Sequence, residues 1–289
     1  GDMVPDVLAV SSSNSQGGGR KTVYLFDGTN GNFLWQHPIT VPGLASGYSV
    51  ISIEDVTGDN IPDAVAGYGG DGTTQFARGL DGSNGQTLWQ FDGPVDGAKE
   101  LLELPVAGQT PDVIVANFFD DIYRVNGEDG QQLWNFDVGG AIIQMNLIPD
   151  VNNNGIDDIL VASFSGASQI YCLEGETGLP IWTSPTNDYR SYGVQAIPDI
   201  NGDGIYEAIA GDQSGTVYVI SGEGDSLLYT RTFGTRVTTV DGLKSIDGND
   251  SHEVLVGLDD GQIFCLSGGE PLTGIRPNND NRNLPGNFS

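Results

Sequence analysis

A recurring tryptophan slot constrains this chain more than any other feature. The segments VYLFDGTNGNFLWQ, ARGLDGSNGQTLWQ, IYRVNGEDGQQLWN, IYCLEGETGLPIWT and VYVISGEGDSLLYT place their anchors Trp35, Trp89, Trp134, Trp182 and Tyr229 at spacings of 54, 45, 48 and 47 residues. A broken copy, IFCLSGGEPLTG, comes last, and all four tryptophans of the chain fall in the slot. A second cassette precedes each copy: SIEDVTGDNIPDAVAG, ELPVAGQTPDVIVAN, LIPDVNNNGIDDILVAS, AIPDINGDGIYEAIAG and KSIDGNDSHEVLVG. GDMVPDVLAVS at the start reads as its second half, so the first copy enters midway. Repetition at such a period means one supersecondary unit built many times, with the core buried between copies.

Each unit reads as four short strands, β-branched or aromatic and punctuated by Gly, Asn and Asp. In the fourth repeat the strands are expected at roughly Ile143–Ile148, Ile159–Phe164, Gln169–Leu173 and Pro180–Thr183. The step DGTNGNFLW is a hairpin whose glycine supplies positive φ. No segment sustains a 3.6-residue period, so almost no helix is expected. Four strands in about 48 residues is the arithmetic of a propeller blade. The expectation is an all-β chain, a β-propeller of about six four-stranded blades over residues 1–275 with the first and last repeats incomplete, and a linker or tail over 276–289. A larger ring with blades missing is the alternative. The tryptophans are expected on an outer strand, wedged between blades, rather than stacked on a carbohydrate.

Charge narrows the partners. With 39 acidic against 11 basic residues the formal charge is −28, which argues against nucleic acid and anionic membrane as partners and for divalent cations. No apolar run reaches membrane-spanning length and no signal peptide is present in the sequence, so membrane insertion is not expected; a trimmed, soluble, monomeric domain is. Cys172 and Cys265 sit in matching contexts of non-adjacent repeats, too far apart to bridge, and are expected as free thiols.

The acidic loops carry the clearest chemistry. DINGDGIYE offers side-chain oxygens at positions 1, 3, 5 and 9 (Asp199, Asn201, Asp203 and Glu207), with the backbone carbonyl of Ile205 at position 7. Calcium takes six to eight hard oxygen ligands, and alternate residues of a tight loop can supply them. The closing acid at position 9 and the flanking strands exclude an EF-hand. The same pattern gives Asp55, Thr57, Asp59, Ile61 and Asp63, and again Asp150, Asn152, Asn154, Ile156 and Asp158. The loop of Asp247, Asn249 and Glu253 opens on Ser245 and is a doubtful site, while LPVAGQTPD keeps only Asp112 and should be empty. Asp2 and Asp6 are read as having lost their partners. The alternative for all these loops is an Asn/Asp turn that caps its own backbone. Three loops in register favour calcium, about three ions in all, bound for structural reasons.

Lys99, Arg190 and Arg236 precede the first strands of their blades, near Tyr48, Tyr189 and Tyr192. That position is expected at the mouth of the central channel, where Tyr48, Lys99, Arg190, Tyr192 and Arg236 could bind an anionic sugar or a carboxylate. Unrelated surface charges are the alternative.

DVTGDNIPDAVAG and DINGDGIYEAIAG resemble the calcium-binding FG-GAP repeats of integrin α-type propellers, and DGTNGNFLW and GETGLPIW resemble the turn and docking tryptophan of quinoprotein (PQQ-like) repeats. The first resemblance implies calcium ligation by Asp55, Asp59, Asp63, Asp150, Asn152, Asn154, Asp158, Asp199, Asn201, Asp203 and Glu207. LPGNFS in the tail is similar to the stretch preceding the sorting domain of bacterial type IX secretion substrates, which implies a secreted or cell-surface protein. His37 and His252 lie in no metal or triad pattern, and there is no nucleophile elbow, phosphate loop or cysteine pair. The function expected is therefore non-enzymatic: a calcium-binding module that binds a glycan or protein partner at the cell surface. A polysaccharide lyase is the alternative; a quinoprotein enzyme is a weaker one, since the adjacent cysteines typical of quinone binders are missing.

Overall fold

A computed structural model of the protein describes residues 4–12, 21–39, 46–69, 76–93, 97–164, 169–188, 191–224 and 226–269. None of these is helical; their strands form six antiparallel sheets, the blades of a β-propeller. The first blade is β1 (Val7–Val10), β2 (Thr22–Phe26) and β3 (Phe33–Pro38). The second is β4 (Ser46–Ile53), β5 (Asp63–Gly69), β6 (Phe76–Leu80) and β7 (Thr87–Phe91). The third is β8 (Ala98–Leu104), β9 (Asp112–Asn117), β10 (Asp121–Val125) and β11 (Gln132–Asp137). The fourth is β12 (Ala141–Ile148), β13 (Asp158–Phe164), β14 (Gln169–Leu173) and β15 (Pro180–Pro185), the four strands expected there with its first and last elements slightly longer. The fifth is β16 (Ser191–Ile197), β17 (Glu207–Asp212), β18 (Thr216–Ile220) and β19 (Leu227–Thr232), and the sixth is β20 (Val237–Leu243), β21 (Glu253–Leu258) and β22 (Ile263–Leu266).

Burial follows position in the blade. The second strands of the second, third and fifth blades, such as VIVA in β9 and AIAG in β17, are buried along their whole length. Small and β-branched residues fill them because both faces are covered by neighbouring blades. The outermost strands alternate: in β11 only Trp134 is fully buried. Inner strands stack in chain order, β4 on β8, β8 on β12, β12 on β16 and β16 on β20. The apolar core is accordingly divided into five clusters, each shared by two adjacent blades.

The repeated hairpin turn explains the tryptophan slot. Trp35, Trp89, Trp134 and Trp182 each donate an indole N–H to a glycine carbonyl of the next blade's turn, at Gly82, Gly127, Gly175 and Gly222, over 2.6–3.1 Å. Three residues further on, Gly85, Gly130 and Gly178 have φ of 74°, 74° and 73° and lie flat against the arriving indole. A Cβ at Gly130 would stand 2.9 Å from Trp89, so the glycine serves both the turn and the docking.

This architecture gives the molecule two ends. One carries the loops that join first to second strands, among them the acidic loops. The other carries the starts of the first strands and the turns after the second strands.

Candidate functional site

The ninth residue of each acidic loop sits at the foot of a buried second strand and acts as a clamp. Asp63, Asp158, Glu207 and Glu253 are all buried. One oxygen of each accepts the N–H of the loop's second residue: Val56 (2.9 Å), Val151 (3.0 Å), Ile200 (2.7 Å) and Ile246 (3.1 Å). The other oxygen accepts a hairpin glycine N–H in three of them, from Gly82 to Asp63 (2.8 Å), Gly175 to Asp158 (3.0 Å) and Gly268 to Glu253 (3.1 Å). Asp6 keeps this last bond too, accepting from Gly28 at 3.0 Å. Glu207 is the exception: its Oε1 is buried with no hydrogen-bond partner.

The first acid of each loop caps the backbone. Asp55 accepts from Gly58 and Asn60, Asp150 from Asn154 and Gly155, and Asp199 from Gly202 and Gly204. The turn-capping geometry is therefore present in all three loops. In the Asp199 loop more is gathered: oxygens of Asp199, Asp203 and Glu207 lie within 4.8 Å of one another, the one such group among the described residues. Asn201 stands beside them, donating Nδ2–H to Asp203 Oδ2 at 2.8 Å, and Ile205 donates its N–H to Asp203 Oδ1.

The other two loops are not drawn together in this way. Asn152 and Asn154 turn their amide groups to Glu174 Oε1, and Ile156 donates to Asn154. Thr57 donates its hydroxyl to Asp55, while Asp59 accepts from Ile61. Burial pushes Glu207 up to about 8, with the carboxylates of Asp203 and Asp199 adding to it and the Ile200 N–H opposing. Burial likewise raises Asp158 to about 6. A buried, unpartnered carboxylate oxygen facing two more carboxylates fits a hard divalent cation, whose charge removes the repulsion.

The third blade lacks an acidic loop and carries its own cation. Arg124 donates Nε–H to Asp112 Oδ2 (2.7 Å), brings Nη2 within 2.6 Å of the same oxygen, and gives Nη1–H to Gly175 O (2.8 Å). Both side chains are buried.

At the opposite end, Lys99 lies inside β8 and donates Nζ–H to Ile142 O at 3.2 Å. Arg236 pairs with Asp259 at 2.5 Å and covers the Tyr192 ring at 4.9 Å from its centroid. Tyr192 also meets Phe164 edge-on. Tyr48 is exposed on β4. Arg190, Tyr189 and the 276–289 tail lie outside the described residues. Sequence reasoning missed Phe118 and Phe119, exposed in the turn after β9; the signal was the pair FF where other blades have Gly, Ser or Asp.

The indoles have no free face for a cofactor, since all four are buried between blades. Cys172 is buried in β14, Cys265 is half-buried in β22, and both are free thiols.

Residues 73–228, more than half of the chain, match the family model PQQ_2, described as outer membrane protein assembly factor BamB. A search of curated proteins found no match. Among solved structures the chain resembles BBS1N in complex with ARL6DN (12% identity, 94% of this chain and 78% of that one, TM-score 0.58). It also resembles Sqt1 of Saccharomyces cerevisiae (10% identity, 90% and 69%, TM-score 0.63) and the computationally designed Ika8 protein (13%, 90% and 67%, TM-score 0.60). At these identities the likeness is one of fold.

Proposed function

This chain belongs to the PQQ_2 family, that of outer membrane protein assembly factor BamB, and on that premise we propose that it is a non-enzymatic, calcium-stabilised propeller module that binds a protein or glycan partner at the cell surface. The observation that carries the calcium reading is Glu207 Oε1, buried without a partner and grouped with Asp199 and Asp203. Asp199, Asn201, Asp203 and Glu207, with the carbonyl of Ile205, would hold the ion, which would fasten the fourth inner-to-second-strand loop to the fifth blade's core. The loops of Asp55 and Asp150 are weaker candidates for two further ions. Extracellular calcium in the millimolar range suits loops of this kind, which supports a secreted or surface location, as does the envelope role in the family's description. A partner protein is supported by the solved complex of BBS1N with ARL6DN, a propeller fold seated on another protein.

The test is a thermal melt in millimolar calcium against excess EGTA, with bound metal counted. A ligand that binds only the folded state raises stability as RT ln(1 + [L]/Kd), about 2.7 kcal/mol at a hundredfold excess over Kd. The wild type should show that shift, and Glu207→Gln should lose most of it while its EGTA melt stays close to wild type. Equal melts in calcium and EGTA, with no metal retained, would overturn the calcium reading.

A further inference from the structure

The turn between β9 and β10 holds two consecutive phenylalanines in water, Phe118 and Phe119, 45% and 50% exposed. The turn is built rather than loose. Asn117, buried beneath it, accepts through Oδ1 the N–H groups of Phe119 (2.9 Å), Asp120 (2.8 Å) and Asp121 (3.0 Å). The rings meet edge-to-face at 6.2 Å, and Lys99 Nζ stands 5.0 Å from the Phe118 centroid. The corresponding turns of the fifth and sixth blades are polar, Gln213-Ser214-Gly215 and Asp259-Asp260-Gly261, so the fold itself asks for no aromatic here. Exposed aromatics held rigidly on a turn are the residues that anchor protein interfaces.

Apart from Lys99, whose ammonium covers the Phe118 ring, the charged groups beside the rings are acidic. Asp120 follows Phe119, Asp121 pairs with Asp137 across β10 and β11, and Asp137 is exposed. Asp121 spends Oδ2 on the Tyr123 hydroxyl and the Asn117 amide, leaving Oδ1. Two described cations of this end are engaged, Arg236 by Asp259 and Tyr192 and Lys99 by Ile142 O and Phe118. Lys99 and Arg236 are thus the less available to the anionic ligand expected at Tyr48, Lys99, Arg190, Tyr192 and Arg236, of which Arg190 lies outside the described residues, and the chain's net charge of −28 steers cations toward it.

We propose that the Phe118–Phe119 turn docks a basic segment of a partner protein, the two rings taking an aromatic side chain and Asp120, Asp121 and Asp137 the lysine or arginine beside it. This rests on the protein-binding reading above and names the chemistry of the partner. The probes are the blocked tripeptides acetyl-Lys-Phe-Lys-amide and acetyl-Glu-Phe-Glu-amide, with neutral maltohexaose as a third, each titrated into the full chain and followed by saturation-transfer NMR. The basic peptide should bind at least about fivefold more tightly than the acidic one, and the margin should shrink in high salt. Phe118→Ser with Phe119→Ser should weaken it about tenfold or more, and Asp120→Asn with Asp137→Asn should bring the two peptides within about twofold. If the double serine variant melts early, Phe119→Ser alone, which leaves the Lys99–Phe118 contact in place, carries the test. Equal binding of the two peptides, no binding of either, undiminished binding by the serine variant, or preference for maltohexaose overturns the proposal. The titrations are run in calcium and in EGTA. Loss of the calcium melt shift with peptide binding kept strikes only the calcium reading, and the reverse strikes only the docking site.

Discussion

Arg124 stands at a place in the blade where its counterparts are small or apolar. The residue paired across the hairpin with the docking aromatic is Leu25, Gly79, Cys172 and Val219 in other blades, and Arg124 in the third. Its guanidinium reaches Asp112, the ninth-position acid of the one loop without further acids, and spans to the fourth blade through Gly175 O. A buried arginine thus supplies the charge that a cation would supply next to Glu207. Arg124→Met removes that charge and leaves Asp112 buried without its partner, a loss of about 3–5 kcal/mol on the scale of broken buried pairs. Arg124→Met combined with Asp112→Asn should recover a large part of it, since the stranded charge is gone. Chemical denaturation of the four proteins of this cycle measures the coupling; additive losses would mean that the pair is not a unit. The losses should be the same in calcium and in EGTA.

Between elements, the blades are stitched by side chains on the inner strands. Each first strand carries a register shift near its start, after Ala98 in β8 and Ile142 in β12 for example, and in these two strands the residue beyond it supplies an acceptor to the next blade. Glu100 Oε2 takes the N–H of Met145 at 3.0 Å, and Gln144 Oε1 takes that of Val194 at 3.2 Å. Burial pushes Glu100 up to about 7, against the Met145 N–H and the nearby Lys99, which favour its ionised form. The sign follows directly. A carboxyl whose folded value lies above its unfolded one stabilises below the unfolded value, and that contribution is lost as pH rises from about 4.5 through about 7. Glu100→Gln keeps an acceptor for Met145 and removes the titration. The variant should gain on the wild type between pH 5 and 8 by up to about 3 kcal/mol, read as the difference between paired denaturation curves. A constant difference across that window would show that Glu100 ionises normally. These stitches were not legible in the sequence, because Ser49, Glu100, Gln144, Gly193 and Thr239 share a position but no chemistry. The strands were legible, because the hairpin-turn glycines recur from blade to blade and the tryptophan in four of the six, and a periodic pattern survives the variation of its individual residues.

For the whole molecule, the candidate metal site was only partly legible for a related reason. Ligand-type residues at alternate positions could be read in three loops, but which loop gathers them depends on a partner far along the chain. Gly82 and Gly175 occupy the second oxygens of Asp63 and Asp158, whereas Glu207 Oε1 is left alone. Exposed Phe118 and Phe119 escaped because a repeat directs attention to what recurs, and this pair is a departure confined to one blade. Composition, by contrast, bears on the entire assembly. A net charge of −28 on 289 residues is a self-repulsion that the folded state, being compact, feels more than the unfolded chain. Monovalent salt screens it over a Debye length that shrinks from about 20 Å at 20 mM to about 7 Å at 200 mM. In EGTA, raising NaCl across that range should therefore increase the melting temperature by about 2–4 °C, the shift that about 1 kcal/mol produces in a domain of somewhat smaller size. With calcium saturating, part of the repulsion is already neutralised and the increment should be smaller. Paired scans at fixed pH measure it. A melting temperature that stays level or falls with salt in EGTA would mean that hydrogen bonds such as those at Asp55 and Asp199 already hold the acidic loops against their own charge.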